Sequence, residues 1–138
     1  MLTLFTARFQ MFRPVQGTPV RITRGAPRFK LPYQLTHTVP ELAPAAAYFN
    51  SPRPAFAAAY RADLTRLGAG QIAERLGGIA QQAGDHRLVL LCFEDLAKPE
   101  LWCHRRIFAD WWSETTGDPV RELGPMAGPS PYEQGTLL

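Results

Sequence analysis

The chain has no acidic residue before Glu41, only two cysteines, only two lysines and no long hydrophobic run. Each shortage excludes something. Two cysteines cannot make a disulfide framework in a chain of this size, and in a reducing compartment they are expected to be free thiols. The N-terminal M-L-T-L-F-T-A-R-F lacks the basic start and the apolar core of a signal peptide. No stretch approaches the roughly 20 apolar residues of a membrane span, so a cytoplasmic protein without a membrane partner is expected. There is no G-K-[ST] run, which excludes a P-loop. The position six residues after Cys103 is Ala109 and not arginine, which argues against cysteine-phosphatase chemistry.

The chain's 138 residues suit one domain with a real core. Its 46% hydrophobic and 20% charged residues are those of an ordinary globular protein. Charge is uneven along the chain. Arg8, Arg13, Arg21, Arg24, Arg28 and Lys30 give the first 40 residues a charge of +6, against a net +3 overall. Arginine predominates, and its planar fork suits bidentate phosphate recognition. The excess of Arg, Ala, Pro and Gly is equally what a high-GC genome would write.

Periodicity sets out the elements. Leu2 to Phe9 reads as a first strand, closed by the Arg13-Pro14 turn. Pro19 to Thr23 reads as a second, in which alternation puts Val20 and Ile22 on one face and Arg21 on the other. Residues 28–53 show no sustained period and are expected to be irregular, with one helical turn near Ala43 to Tyr48. Phe56, Tyr60, Leu64 and Leu67 repeat at helical spacing, from Pro54 in the first turn to a stop at Gly68. Ile72, Leu76, Ile79 and Ala83 define a second helix, whose Gly77-Gly78 pair suggests close packing against a neighbour. Leu88 to Phe93 is apolar on both faces, as in a central strand covered on both sides. A third helix from about Trp102 to Thr116 carries Ile107, Phe108, Trp111 and Thr115 on one stripe, and Pro119 to Leu123 returns as a short strand. The expected fold is α/β: a small three-layer, Rossmann-like sheet of about four strands flanked by helices over residues 1–124, with residues 125–138 as a flexible tail.

Reactive side chains gather where the strand ending at Cys92 and Glu94 meets the helix opened by Cys103, His104 and Arg105. A strand's carboxyl end and the next helix's amino end share a rim, which is where open α/β sheets bind ligands. Cys103, at an electropositive helix start, is the candidate nucleophile, because such a setting favours thiolate; its alternative is a small buried thiol. Cys92 suits the core, or else pairs with Cys103 as a redox or metal pair. His104 falls on the stripe with Phe108 and Trp111 and is expected to be half-buried. Arg105 has no favourable interaction with the helix dipole, so an anionic ligand or a carboxylate such as Glu94 is needed to explain it. Cys92, Glu94, His104 and Arg105, with Arg8, Arg21 and Arg24, form the candidate ligand-binding set. Trp102, Trp111 and Trp112, with Phe9, Phe12 and Phe29 among the N-terminal arginines, are candidate base-stacking groups, with Trp111 expected in the core and Trp112 at the surface. No cofactor is expected. Zinc is the alternative, but the ligand spacing matches no finger, and neighbours such as Cys103 and His104 diverge by about 100° around a helix.

L-L-C-F-E, followed by C-H-R at a helix start and a V-x-E-L strand after the helix, resembles the uncharacterised family called domain of unknown function 488. P-V-R-I-T-R-G-A-P resembles the second-strand segment of some of its members. The resemblance runs to about Leu123 and implies a small α/β domain and little about activity. Three functions stay open. One is binding of a nucleotide or nucleic acid at the rim. The second is thiol-dependent catalysis by Cys103 on a phosphorylated or nucleic substrate, and the third is a non-catalytic interaction module.

Overall fold

Strand pairing follows from which segment is apolar on both faces. A computed structural model of the chain describes residues 2–126. Its sheet contains β1 (Thr3–Arg8), β2 (Thr18–Arg21), β3 (His37–Thr38), β4 (Arg87–Cys92) and β5 (Arg121–Glu122) in the order β3-β2-β4-β1-β5. All the pairings are parallel. β4, with four consecutive buried apolar residues between Arg87 and Cys92, takes the centre, with β1 on one side and β2 on the other. A parallel sheet needs cover on both faces. Leu88 and Leu90 pack with α1 (Arg53–Leu67), α2 (Ala69–Ala83) and α3 (His104–Thr116), while Val89 and Leu91 pack with Ala7, Phe9 and Phe12.

The α/β class is as expected, with five strands where about four were anticipated. All three helices contribute to the core on one face. The third layer is the irregular segment after β2, which brings Leu31, Tyr33 and Leu35 against the other face. The Tyr33 hydroxyl fastens this cover by donating to the Phe9 carbonyl at 2.7 Å. Inside the segment, His37 and Thr38 add the two-residue β3 to the edge of β2, an element too short for alternation to reveal.

The helices start and stop close to where spacing placed them. Phe56, Tyr60 and Leu64 are the buried stripe of α1, and Ile72, Leu76 and Ile79 that of α2. Gly77 and Gly78 have open space where a Cβ would lie, so close packing does not account for them. Val20 and Ile22 are buried and Arg21 is not, as alternation required. Trp112 is buried with Trp111, against the expectation of a surface position, because the core-facing arc of α3 is wide enough to take adjacent residues. Among the described residues no helix is long and apolar enough to cross a membrane. Most of the expected tail, residues 127–138, lies outside the described residues.

Because all strands run the same way, their carboxyl ends share one rim. Arg8, Arg21, Thr38, Cys92 and Glu122 are the last residues of the five strands. At the opposite end, Gly17 enters β2 with φ 141°, and a Cβ there would sit 2.7 Å from the Arg87 carbonyl oxygen. Gly17→Ala is therefore expected to cost about 1–3 kcal/mol of stability. A urea-unfolding midpoint equal to that of the parent would contradict this packing.

Candidate functional site

The site is built where β4 ends against the start of α3. Alternation along β4 turns Cys92 to the same side as Leu88 and Leu90, toward the helices. Cys103 is the residue that caps α3, and its backbone is extended (φ −144°, ψ 146°) rather than helical. The helical divergence assumed for Cys103 and His104 therefore does not apply, and both side chains converge on Cys92. The two cysteines are joined as a disulfide with Cα atoms 7.2 Å apart. This corrects the expectation of free thiols: the topology brings residues eleven apart in sequence into contact, which composition alone does not reveal. Both cysteines are buried, with Leu96 and Met126 packed against them.

His104 is only 6% exposed, deeper than expected. Its Nε2 lies 2.6 Å from the Ile22 carbonyl oxygen. A carbonyl can only accept, so Nε2 carries the proton and Nδ1 presents its lone pair. That lone pair faces the sulfurs, 3.4 Å from Cys92 Sγ and 3.8 Å from Cys103 Sγ. Burial lowers the imidazole pKa to about 4, with the Ile22 hydrogen bond opposing and the Arg105 charge reinforcing the shift. The ring stands edge-on to Tyr60, whose hydroxyl is fixed by the Leu42 carbonyl at 2.6 Å.

Glu94 follows Cys92 around the rim, with a carboxylate oxygen 3.7 Å from Cys92 Sγ. Burial raises its pKa, opposed in part by the Arg105 charge. Arg105 itself is fully buried, and the carboxylate it meets is Glu122 rather than Glu94. Its Nε and Nη2 donate to the two Glu122 oxygens at 3.0 and 2.9 Å, and Nη2 also donates to the Glu94 carbonyl at 2.9 Å. Thr6 Oγ1 donates to Glu122 at 2.7 Å and accepts from Arg106 Nη1 at 3.0 Å. Glu122 was missed by sequence reasoning, although a signal existed. In V-R-E the positions of Val120 and Glu122 share the inward side, and an inward carboxylate requires a buried cation.

The N-terminal arginines divide among different places. Arg8 pairs with Asp95 at 2.8 Å. It lines a cavity of about 160 Å³ together with Arg105 and Glu122. Two buried N–H groups, Arg8 Nε and Arg105 Nη1, have no partner among the described residues. Arg21 and Arg24 line a larger groove of about 750 Å³ with Thr23, Asp63 and Arg66. Arg24 also lies over the Phe49 ring and reaches the Pro44 carbonyl. The groove adjoins a second cavity of about 280 Å³, with Pro44 in the wall of both; Phe49, Glu94, Trp102, Cys103 and His104 also line that cavity. A third cavity, of about 210 Å³, touches Cys103 from the side of Trp102 and Arg106. Cys103 thus borders two openings, and Cys92 is not among the lining residues of either.

No family model matches the chain, and neither the curated proteins nor the solved structures contain a match.

Arg105→Ala would leave Glu122 buried without a cation, which is expected to cost about 3–5 kcal/mol. Arg105→Lys should not restore the parent's stability, because an ammonium cannot span both Glu122 oxygens and the Glu94 carbonyl. Chemical denaturation measures both variants. A loss below about 1 kcal/mol for Arg105→Ala would place Arg105 in solvent.

Proposed function

We propose that the protein is a thiol-dependent protein whose working centre is the Cys92–Cys103 pair, with Cys103 as the sulfur that meets the reaction partner. The observation that carries this reading is the His104 ring, which donates from Nε2 to Ile22 and aims an unprotonated Nδ1 at both sulfurs. A staple that only held the fold together would need no base beside it. In a reducing compartment a disulfide is as a rule transient and catalytic or redox-sensing.

The chemistry is thiol–disulfide exchange with a dithiol partner. One partner thiolate attacks Cys103 Sγ, the S–S bond breaks, and Cys92 Sγ leaves with the bonding electron pair. The partner's second thiolate then attacks its own sulfur in the mixed disulfide and releases Cys103 as thiolate. The partner becomes a disulfide, having given up two electrons and two protons, and Cys92 and Cys103 gain them. His104 Nδ1 is placed to pass a proton to or from either sulfur. The choice of Cys103 for attack rests on the two cavities it borders.

The folded protein, equilibrated with graded dithiothreitol and then alkylated and weighed, should take up two alkyl groups in one transition without denaturant. His104→Ala should slow the exchange by about 10²-fold or more, the usual contribution of a positioned acid–base group. Thiols that appear only on unfolding would mark the disulfide as a staple.

A second reading has its own observation. Arg21, Arg24 and Arg66 share the groove that adjoins the Cys103 cavity, and three guanidinium groups favour a phosphate-bearing ligand, whether nucleotide or nucleic acid. Binding of a single-stranded oligonucleotide should then weaken steeply with salt, and Arg21→Ala or Arg24→Ala should each lower the log–log slope by about one. Salt-independent binding, or none at low salt, would remove this reading.

A further inference from the structure

Cys92 Sγ, Cys103 Sγ and His104 Nδ1 lie within 4.8 Å of one another in the disulfide-bonded structure, so opening the disulfide would leave three soft or borderline donors around one point. We propose that the reduced protein binds one zinc ion through these three atoms, with the fourth coordination position open to the cavity beside Glu94. The inference rests on the reading above only in requiring that the disulfide open in the folded protein.

Geometry carries it. A tetrahedral ion with Zn–S of about 2.3 Å and Zn–N of about 2.0–2.1 Å sets its sulfur and nitrogen ligands about 3.6 Å apart. The two Nδ1 to Sγ distances are 3.4 and 3.8 Å. Only the sulfurs have to separate, and the Cα spacing of 7.2 Å leaves room for both side chains to turn outward. The imidazole is already in the ligating tautomer. A metal-bound histidine almost always donates its other N–H to a carbonyl or carboxylate, and here Nε2 does so to Ile22 at 2.6 Å.

Charge agrees. On binding, two thiols release their protons to solvent and two Zn–S bonds form, so two thiolates, a neutral imidazole and a divalent ion sum to zero. A neutral complex suits a site whose three ligand residues are buried. Three protein ligands with one open position are the arrangement of catalytic rather than structural zinc. His104 and Cys103 both line the 280 Å³ cavity, and Glu94 is in the same wall. Water held by the ion would therefore face a carboxylate. The site takes a borderline divalent ion rather than magnesium or calcium, which prefer all-oxygen ligand sets.

The test uses the whole chain, reduced under argon with a phosphine, its two thiols counted by alkylation without denaturant and then titrated with cobalt(II) alone. The expected result is one equivalent of cobalt bound, with a thiolate-to-cobalt charge-transfer band and the strong visible bands of tetrahedral coordination, all bleached by zinc. The oxidised protein should give none of these. His104→Ala and Cys103→Ser should each weaken cobalt binding by more than about tenfold, since even outer-shell losses cost 10–100-fold. The wild-type titration stands whether or not either variant folds. Two countable thiols without a stoichiometric tetrahedral spectrum would overturn the zinc site and leave thiol exchange standing. A disulfide that opens only on denaturation would overturn both.

Discussion

The buried pair between Arg105 and Glu122 is the constraint on which the rim depends. Ions this deep are tolerable only when paired and hydrogen-bonded, and the fold supplies partners for Glu122 and for Nε and Nη2 of Arg105 from three directions. β5 brings the carboxylate, β1 brings Thr6, and the turn after β4 brings the Glu94 carbonyl. Because Arg105 occupies the first turn of α3, pinning its guanidinium pins the two residues before it. Cys103 and His104 are therefore held against the end of β4.

From that anchor the chemistry follows in short steps. The extended backbone at Cys103 turns its sulfur toward Cys92, and the first helical residue turns its imidazole toward both sulfurs. The Ile22 carbonyl, at the point where β2 leaves the sheet, selects which ring nitrogen holds the proton. Tyr60 from α1 closes the ring's other side. Four elements thus fix one imidazole, and among the described residues its free lone pair addresses the two sulfurs. Thiol exchange and metal binding by the reduced state both draw on that lone pair and on the same pair of sulfurs.

Much of this was legible in the sequence. The apolar run of β4, the stripes of α1 and α2, and the strand-to-helix passage that gathers Cys92, Glu94, Cys103, His104 and Arg105 all rest on periods long enough to read. What stayed hidden depended on distance in sequence or on local backbone. β3 spans only two residues and owes its pairing to β2. Proximity in the chain points Arg105 to Glu94, but its partner is Glu122, where the parallel topology lays β5 beside β1. Helical geometry would make Cys103 diverge from His104, whereas this capping residue is extended and lets the two converge. The N-terminal arginines of the candidate binding set are parted by the fold: Arg8 goes to the Asp95 turn, and Arg21 and Arg24 go to the groove beside α1.

Thiol exchange and metal binding both require His104 to hold its proton on Nε2 and to point a bare Nδ1 at the two sulfurs. Long-range proton–nitrogen correlation spectra of ¹⁵N-labelled protein read this directly, since the protonated and unprotonated ring nitrogens resonate far apart. The expected result is the Nε2–H tautomer at neutral pH, with the Nδ1 resonance moving when the Cys92–Cys103 disulfide is reduced. An Nδ1–H tautomer, or an Nδ1 resonance indifferent to the state of the cysteines, would contradict it.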